Sequence, residues 1–288
     1  MAEIVSNELL GPNVYKLRLR APKIARKRRA GQFVIVRVYE GGERIPLTIA
    51  DSDLEAGTIT LIVQAVGRST QMLCRLAVGQ AVLDLAGPLG HPTHIEKVGR
   101  VVVIGGGIGT AVALPIAQAM KAAGNDVTAV IGGRSREFVI LESEMARAAD
   151  RVIVCTDDGS AGRKGLVTDV LRGLIEAGEK IDQVFAIGPL PMMDAVCAVT
   201  RGPAIRTYVS LNPIMIDGTG MCGGCRVSVG GQVKFACVDG PEFDGHQVDF
   251  AELRNRLAAF REMEGESRRQ FEDECRMDAA ARKLKDAP

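Results

Sequence analysis

VVVIGGGIGTA, residues 101–111, is a run of four β-branched residues, a glycine turn and the opening of an apolar helix. That order, strand into tight turn into helix N-terminus, is the context a dinucleotide fingerprint requires. Gly105 and Gly107 are in register with it, while Thr110 stands where the third glycine belongs. The same stretch begins an uncharged run from Val101 to Met120. Its length permits a membrane span, but GGGIG and Pro115 interrupt it, and a strand, a turn and a helix account for it better.

Downstream the rhythm repeats. VTAVI (127–131), RVIVCT (151–156) and QVFAIG (183–188) precede helical patterns near 138–149, 165–177 and 191–200. Strands alternating with helices predict βαβ units on a parallel sheet, giving a nucleotide-binding α/β domain over 98–209. No acid closes the second strand. Gly132, Gly133 and Arg134 follow it, and Arg134, Ser135 and Arg136 offer contacts to a 2′-phosphate, so NADP(H) stays open beside NAD(H). The turns CTDDG (155–159) and IGPLPMM (187–193) fall at predicted carboxyl ends of strands, where open α/β sheets bind ligands.

Upstream, residues 1–97 read as an antiparallel β-barrel. Val14–Arg20, Phe33–Glu40, Thr58–Val66 and Gln80–Ala86 are the predicted strands, and Ser69–Leu76 is the one predicted helix. In RIPLTIA (44–50), Arg44 can pair with a pyrophosphate and Thr48 can offer a hydroxyl and an N–H to a ring edge. In VGRST (66–70), Gly67 turns the chain and Ser69 and Thr70 open the helix. Two phosphate-binding elements in one barrel suggest a flavin dinucleotide. The basic run Lys23, Arg26, Lys27, Arg28 and Arg29 reads as a solvated loop.

The third segment, 210–250, carries DGTGMCGGCRVSVGGQVKFAC at 217–237. A plant-type [2Fe–2S] pattern is C-x4-C-x2-C…C; here Asp217 takes the place of the first Cys, and Cys222, Cys225 and Cys237 follow. Gly218, Gly220, Gly223 and Gly224 let the backbone close around a cluster with N–H groups aimed at its sulfurs. Zinc, which accepts three thiolates and a carboxylate, is the alternative, and Asp217 is open to a simpler role as a turn former. The tail, 251–288, is rich in both charge signs and reads as one or two exposed helices.

Composition narrows the classes. With 36 Lys+Arg against 35 Asp+Glu in 288 residues the net charge is +1, which gives no footprint for nucleic acid or an anionic membrane. The opening MAEIVSNELLGPNVYKLRLR has no apolar core of a signal peptide, and seven Cys are an odd number for a disulfide framework. The expectation is a cytoplasmic protein.

With RIPLT, the GGGIG turn and the Cys-rich segment in this order, the chain resembles the ferredoxin-reductase-like flavoproteins. Within them it is similar to the group of electron-transfer subunits that includes those of type-B dihydroorotate dehydrogenase. LNPIMIDGTGMCGGCRVSVGGQVKFACVDGPEFDGHQVDF (211–250) looks most like the small subunits of NADH-dependent ferredoxin:NADP⁺ oxidoreductases. The dihydroorotate relatives carry four Cys at the cluster, whereas those subunits share the Asp seen at Asp217.

The resemblance implies that Arg44, Pro46, Leu47 and Thr48 hold FAD, with Gln64, Val66, Gly67, Ser69 and Thr70 beside them. Thr48 at the flavin edge is the candidate catalytic residue. It further implies that Gly106, Gly107, Gly109, Thr110, Asp157, Asp158, Gly188 and Pro189 line a site for NAD(H). Asp217, Cys222, Cys225 and Cys237 would hold a [2Fe–2S] cluster. The implied function is electron transfer to or from a larger flavin and iron–sulfur subunit in a heterodimer, with ferredoxin served through the complex. A hydride donor delivers two electrons and a cluster takes one, so a flavin has to mediate.

Overall fold

The computed structural model describes residues 1–285. The first seven strands are β1 (Ala2–Gly11), β2 (Val14–Arg20), β3 (Phe33–Arg37), β4 (Arg44–Asp53), β5 (Thr58–Gln64), β6 (Ala81–Val82) and β7 (Asp84–Leu89). They form a nearly closed antiparallel sheet in the order β6-β1-β2-β5-β4-β3-β7. Two short helices, α1 (Pro22–Lys27) and α2 (Arg68–Cys74), interrupt it. Ile4, Leu17, Leu19, Ile49, Ile59 and Leu61 fill the interior and are fully buried. Residues Thr58 to Val63 of β5 are buried on both faces, because Ile62 and its neighbours Val14 and Ala50 pack outward into the core of the second domain.

The sequence reading omits β1 and β4. β4 contains Pro46, which lacks an N–H and argues against an interior strand. The register resolves this: β4 pairs with β3 from Arg44 to Thr48 but with β5 only from Ile49 onward. Pro46 therefore sits where one edge of the strand is free. The basic run is a second correction. Pro22 opens α1 at a position where its missing N–H costs nothing, and Arg28 is largely buried, donating to Ser52 Oγ at 2.8 Å and Asp51 Oδ1 at 3.0 Å.

The second domain comprises β8 (Arg100–Gly106), α3 (Thr110–Ala122), β9 (Asp126–Gly133), α4 (Glu142–Ala148), β10 (Arg151–Thr156), β11 (Arg163–Lys164), α5 (Val167–Glu176), β12 (Gln183–Ile187), α6 (Leu190–Arg201) and β13 (Arg206–Ser210). The strands are parallel. α3 and α4 cover one face and α5 and α6 the other, which is why strands such as VVVI are apolar throughout rather than alternating. The chain runs outward from β8 to β9 and β10, then returns to place β12 on the other side of β8. The switch point, where such sheets bind ligands, therefore lies between the carboxyl ends of β8 and β12.

The third segment makes a hairpin, β14 (Arg226–Val229) and β15 (Gln232–Phe235). Its two-residue turn, Gly230 and Gly231, has φ of 59° and 74°, values open to glycine at no steric cost. The segment then supplies β16 (Glu242–Asp244), which joins the nucleotide sheet antiparallel to β13. Two helices follow, α7 (Phe250–Ala258), capped by the Asp249 carboxylate on the Glu252 N–H, and α8 (Arg261–Lys285). α8 is not wholly exposed: Phe271 is buried against the guanidinium groups of Arg68, which opens α2, and Arg75, which follows it, at 5.5 and 5.0 Å from its ring centre. The last three residues of the predicted tail, and the Cys275 side chain, lie outside the described residues.

Candidate functional site

At the switch point lies a cleft of about 500 Å³. Gly106 and Gly107 from the β8 turn, Asp157 after β10 and Pro189 after β12 line it, and Gln64 reaches it from the end of barrel strand β5. The cleft thus opens between the two domains. Gly109, Thr110, Asp158 and Gly188 are not on its wall. A Cβ at Gly109 would strike the Ile187 carbonyl, so this glycine serves helix-to-strand packing. Thr110 is fully buried behind the turn, packed under Gly105. The Asp158 carboxylate accepts from Ser160 N at 2.9 Å and Ser160 Oγ at 2.6 Å, contacts that hold it below the usual carboxylate range. Gly188 lies beneath Met192, whose thioether also covers Gly106. Cys155 and Met192 of the two predicted turns also line the cleft, as do Phe138, Leu166 and Val167, which no motif marks. Burial and the Asp157 charge push the Cys155 thiol up to about 11, so it is a neutral wall residue rather than a nucleophile.

On the barrel, Arg44 is exposed at the start of β4, and Pro46, Leu47 and Thr48 are half-buried along its unpaired edge. Val66 is exposed beside them, and Gly67 caps α2. The Thr70 hydroxyl accepts from Val66 N at 3.1 Å and Gly67 N at 3.0 Å, closing the turn. Ser69 is buried and donates to the carboxylate of Glu43. Glu43 immediately precedes Arg44, so this bond fastens the start of α2 to the start of β4 and brings together the two elements that the sequence predicts to bind phosphate.

The cysteine segment is irregular from 211 to 225. Asp217 holds its turn with Oδ1 accepting from Thr219 N at 2.9 Å and Oδ2 from Cys222 N at 2.7 Å. These backbone donors, Thr219 foremost, keep its carboxyl ionised below the ordinary range. Each thiol receives a backbone N–H: Cys222 from Gly224 and Cys225 from Cys237, both at 3.4 Å, and Cys237 from Gly220. Burial, then the Cys225 thiol beside it, pushes the Cys237 thiol up to about 12. Cys225 and Cys237 are buried and Cys222 is exposed; N–H groups aimed at the sulfurs fit an anionic iron–sulfur group, since they stabilise thiolates that burial otherwise disfavours. Gly218, Gly220 and Gly223 have φ of 73°, 86° and 65°, so the loop follows a path that only glycine takes freely. Among the described residues, no three His, Cys, Asp or Glu side chains close on a single ion. The loop also lies on the barrel, where a Cβ at Gly218 would meet Leu89 and Ile35.

Comparisons with known proteins agree with this division. Residues 1–94 match the oxidoreductase FAD-binding domain family, and 212–249 match the iron–sulfur cluster binding domain of dihydroorotate dehydrogenase B. A dihydroorotate dehydrogenase B electron transfer subunit homolog of Thermotoga maritima is 46% identical over 93% of this chain and 95% of its own. The dihydroorotate dehydrogenase B electron transfer subunit of Geobacillus thermodenitrificans is 33% identical over 85% and 96%. A chain in a structure of an NADH-dependent reduced ferredoxin-NADP oxidoreductase, described for flavin-based electron bifurcation, superposes with a TM-score of 0.89 at 45% identity, over 94% of this chain and 98% of that one. Phthalate dioxygenase reductase, at 16% identity and a TM-score of 0.56, shares the fold. Among the described residues no helix is long and apolar enough to cross a membrane.

Proposed function

This chain belongs to the family of flavin- and iron–sulfur-containing electron-transfer subunits typified by those of dihydroorotate dehydrogenase B, and from that premise we propose that it exchanges electrons with NAD(H) through FAD and a [2Fe–2S] cluster. Its partner in this reading is a larger flavin and iron–sulfur subunit, in a cytoplasmic heterodimer that serves ferredoxin and bifurcates electrons, as in NADH-dependent ferredoxin:NADP⁺ oxidoreductase. One observation carries it. The barrel touches both other sites: Gly218 of the cysteine loop packs on Ile35 of β3, and Ile35 pairs in register with Pro46 of the RIPLT edge. Gln64 of the neighbouring strand β5 faces the dinucleotide cleft.

The flavin, when bound, accepts a hydride and releases single electrons. The chain's residues do the rest. Arg44, with the Gly67 turn, holds the pyrophosphate, while Pro46, Leu47 and Thr48 present the free strand edge to the ring. Gly106, Gly107, Asp157 and Pro189 seat the nicotinamide dinucleotide against it, and Met192 keeps water from the glycine turn. Asp217, Cys222, Cys225 and Cys237 hold the cluster, with the Gly220, Gly224 and Cys237 N–H groups tuning the sulfurs. A dihydroorotate-type partner is the second reading, favoured by the names of several relatives and opposed by Asp217 in place of a fourth Cys.

An anaerobic visible spectrum before and after NADH, with EPR of the reduced protein, tests the proposal. Flavin bands that bleach and one rhombic [2Fe–2S] signal are expected. A colourless, zinc-containing chain indifferent to NADH discards it. Asp217→Ala is expected to lose the cluster and Asp217→Cys to keep one of altered potential; an intact cluster in Asp217→Ala removes Asp217 from the ligand set.

A further inference from the structure

The dinucleotide cleft has an unusual charge arrangement at its second strand. An acid at the end of that strand commonly takes a ribose 2′-hydroxyl, and an arginine nearby a 2′-phosphate. Here two arginines, Arg134 and Arg136, follow β9. By count alone they favour a 2′-phosphate. Their placement does not. Arg134 lines the cleft, and the carboxylate-bearing Asp157 lines it too. Arg136 is committed elsewhere: its Nη1 donates to Glu142 Oε2 at 2.7 Å, on the first turn of α4.

The turn that carries both arginines is fixed by its backbone. Asp157 N donates to the Gly133 carbonyl at 3.1 Å, and Asp158 N to the Arg134 carbonyl at 3.3 Å. Arg136 N donates to Ser160 Oγ at 2.8 Å, and that hydroxyl donates in turn to Asp158. With the backbone held, what distinguishes the two arginines is the ion pair that Arg136 makes. Glu142 decides where the Arg136 side chain goes.

We propose that Glu142 sets the dinucleotide preference of the cleft: by holding Arg136 away from the ribose rim, it leaves Arg134 as the one arginine there, opposed by Asp157, and makes the site select a dinucleotide with a free 2′-hydroxyl over its 2′-phosphorylated form. The inference rests on the dinucleotide reading of the cleft and names the residue that tunes it. Glu142 is a positioning residue that touches no substrate. Because the Arg136–Glu142 pair is solvent-exposed, with 61% and 41% of the side chains accessible, breaking it costs little stability and leaves the fold intact for the test.

The test is anaerobic calorimetric titration of the flavin- and cluster-loaded chain, reduced beforehand with dithionite so that only binding is read, with NADH and with NADPH, for the natural sequence, Glu142→Gln, Glu142→Asp and Glu142→Gln with Arg136→Ala. The natural chain binds NADH more tightly. Glu142→Gln tightens NADPH by about fivefold, the scale of one released charge at an exposed site, and moves NADH less than twofold. Salt weakens the gained NADPH affinity, Glu142→Asp restores the original ratio, and the double variant loses the gain. A natural chain that prefers NADPH, or a ratio unchanged in Glu142→Gln, overturns the role of Glu142 while the cleft keeps its dinucleotide. Binding of neither dinucleotide overturns the reading of the cleft itself, and this inference with it.

Discussion

In the dinucleotide cleft, Gly106, Asp157 and Pro189 each stand at or just past the end of a parallel strand that is hydrogen-bonded within a sheet covered on both faces. In the cysteine segment, Asp217, Cys222 and Cys225 stand on a stretch with no strand or helix, whose path depends on left-handed glycines and on hydrogen bonds from its own backbone. A side chain on a strand end is positioned by packing far from the ligand. One on such a loop is positioned by what the loop encloses. The cleft is thus a preformed site, whereas under the proposed function folding and ligation of the loop are expected to be the same event.

The sharpest way to break this contrast is to remove a ligand. Cys225→Ser is expected to abolish iron binding and to cost on the order of several kcal/mol, since where no preformed site exists the binding energy is folding energy. Hydrogen exchange is expected to rise across 211–225 while NADH still binds the cleft. Unchanged protection of the loop in the iron-free variant erases the distinction.

The converse change is Gly109→Ala. Its methyl group meets the Ile187 carbonyl, a backbone atom that has nowhere to move. The expected loss is about 3 kcal/mol, with NADH affinity lost and the EPR signal of the cluster retained. Thermal melts and titration of one preparation measure both.

The smallest effect lies at the junction. Glu242 on β16 is half-buried and accepts from Thr93 Oγ1 at 2.6 Å, and a side chain at Gly31 would strike both. Burial, only partly offset by Thr93, raises its pKa to about 7. In the unfolded chain a glutamate titrates near 4.3, roughly. The folded state therefore holds the proton more tightly, and the stability this contributes is full below the unfolded value and lost as pH rises through about 7. Urea midpoints of the natural chain are expected to fall between pH 5 and pH 8, and those of Glu242→Gln to stay level across that pH range. A natural chain with no such slope removes Glu242 from the account.

Much of this organisation is legible in the sequence where signals are local. VVVIGGGIGTA announces its turn because the period changes within it, and the C-x2-C spacing stands out from its glycines. What the chain does not reveal locally is which side of a turn faces the ligand. Gly106 and Gly109 read alike, yet one lines the cleft and the other packs on Ile187. Distant pairings are equally hidden. Arg28 finds Asp51, Phe271 finds Arg68 and Arg75, and Arg136 is withdrawn by Glu142. β4 escapes notice because its proline is acceptable only once the absence of β5 beside it is known.

Strand β16 is encoded after Asp217, Cys222, Cys225 and Cys237, yet it completes the nucleotide sheet at the β13 edge. As the chain leaves the ribosome, the parallel sheet keeps an open edge until all four of those residues have been synthesised. Transplanting the cysteine segment into another reductase would carry away this edge strand as well. The recipient would inherit a tail with a strand to place, and the donor would be left with an uncovered β13.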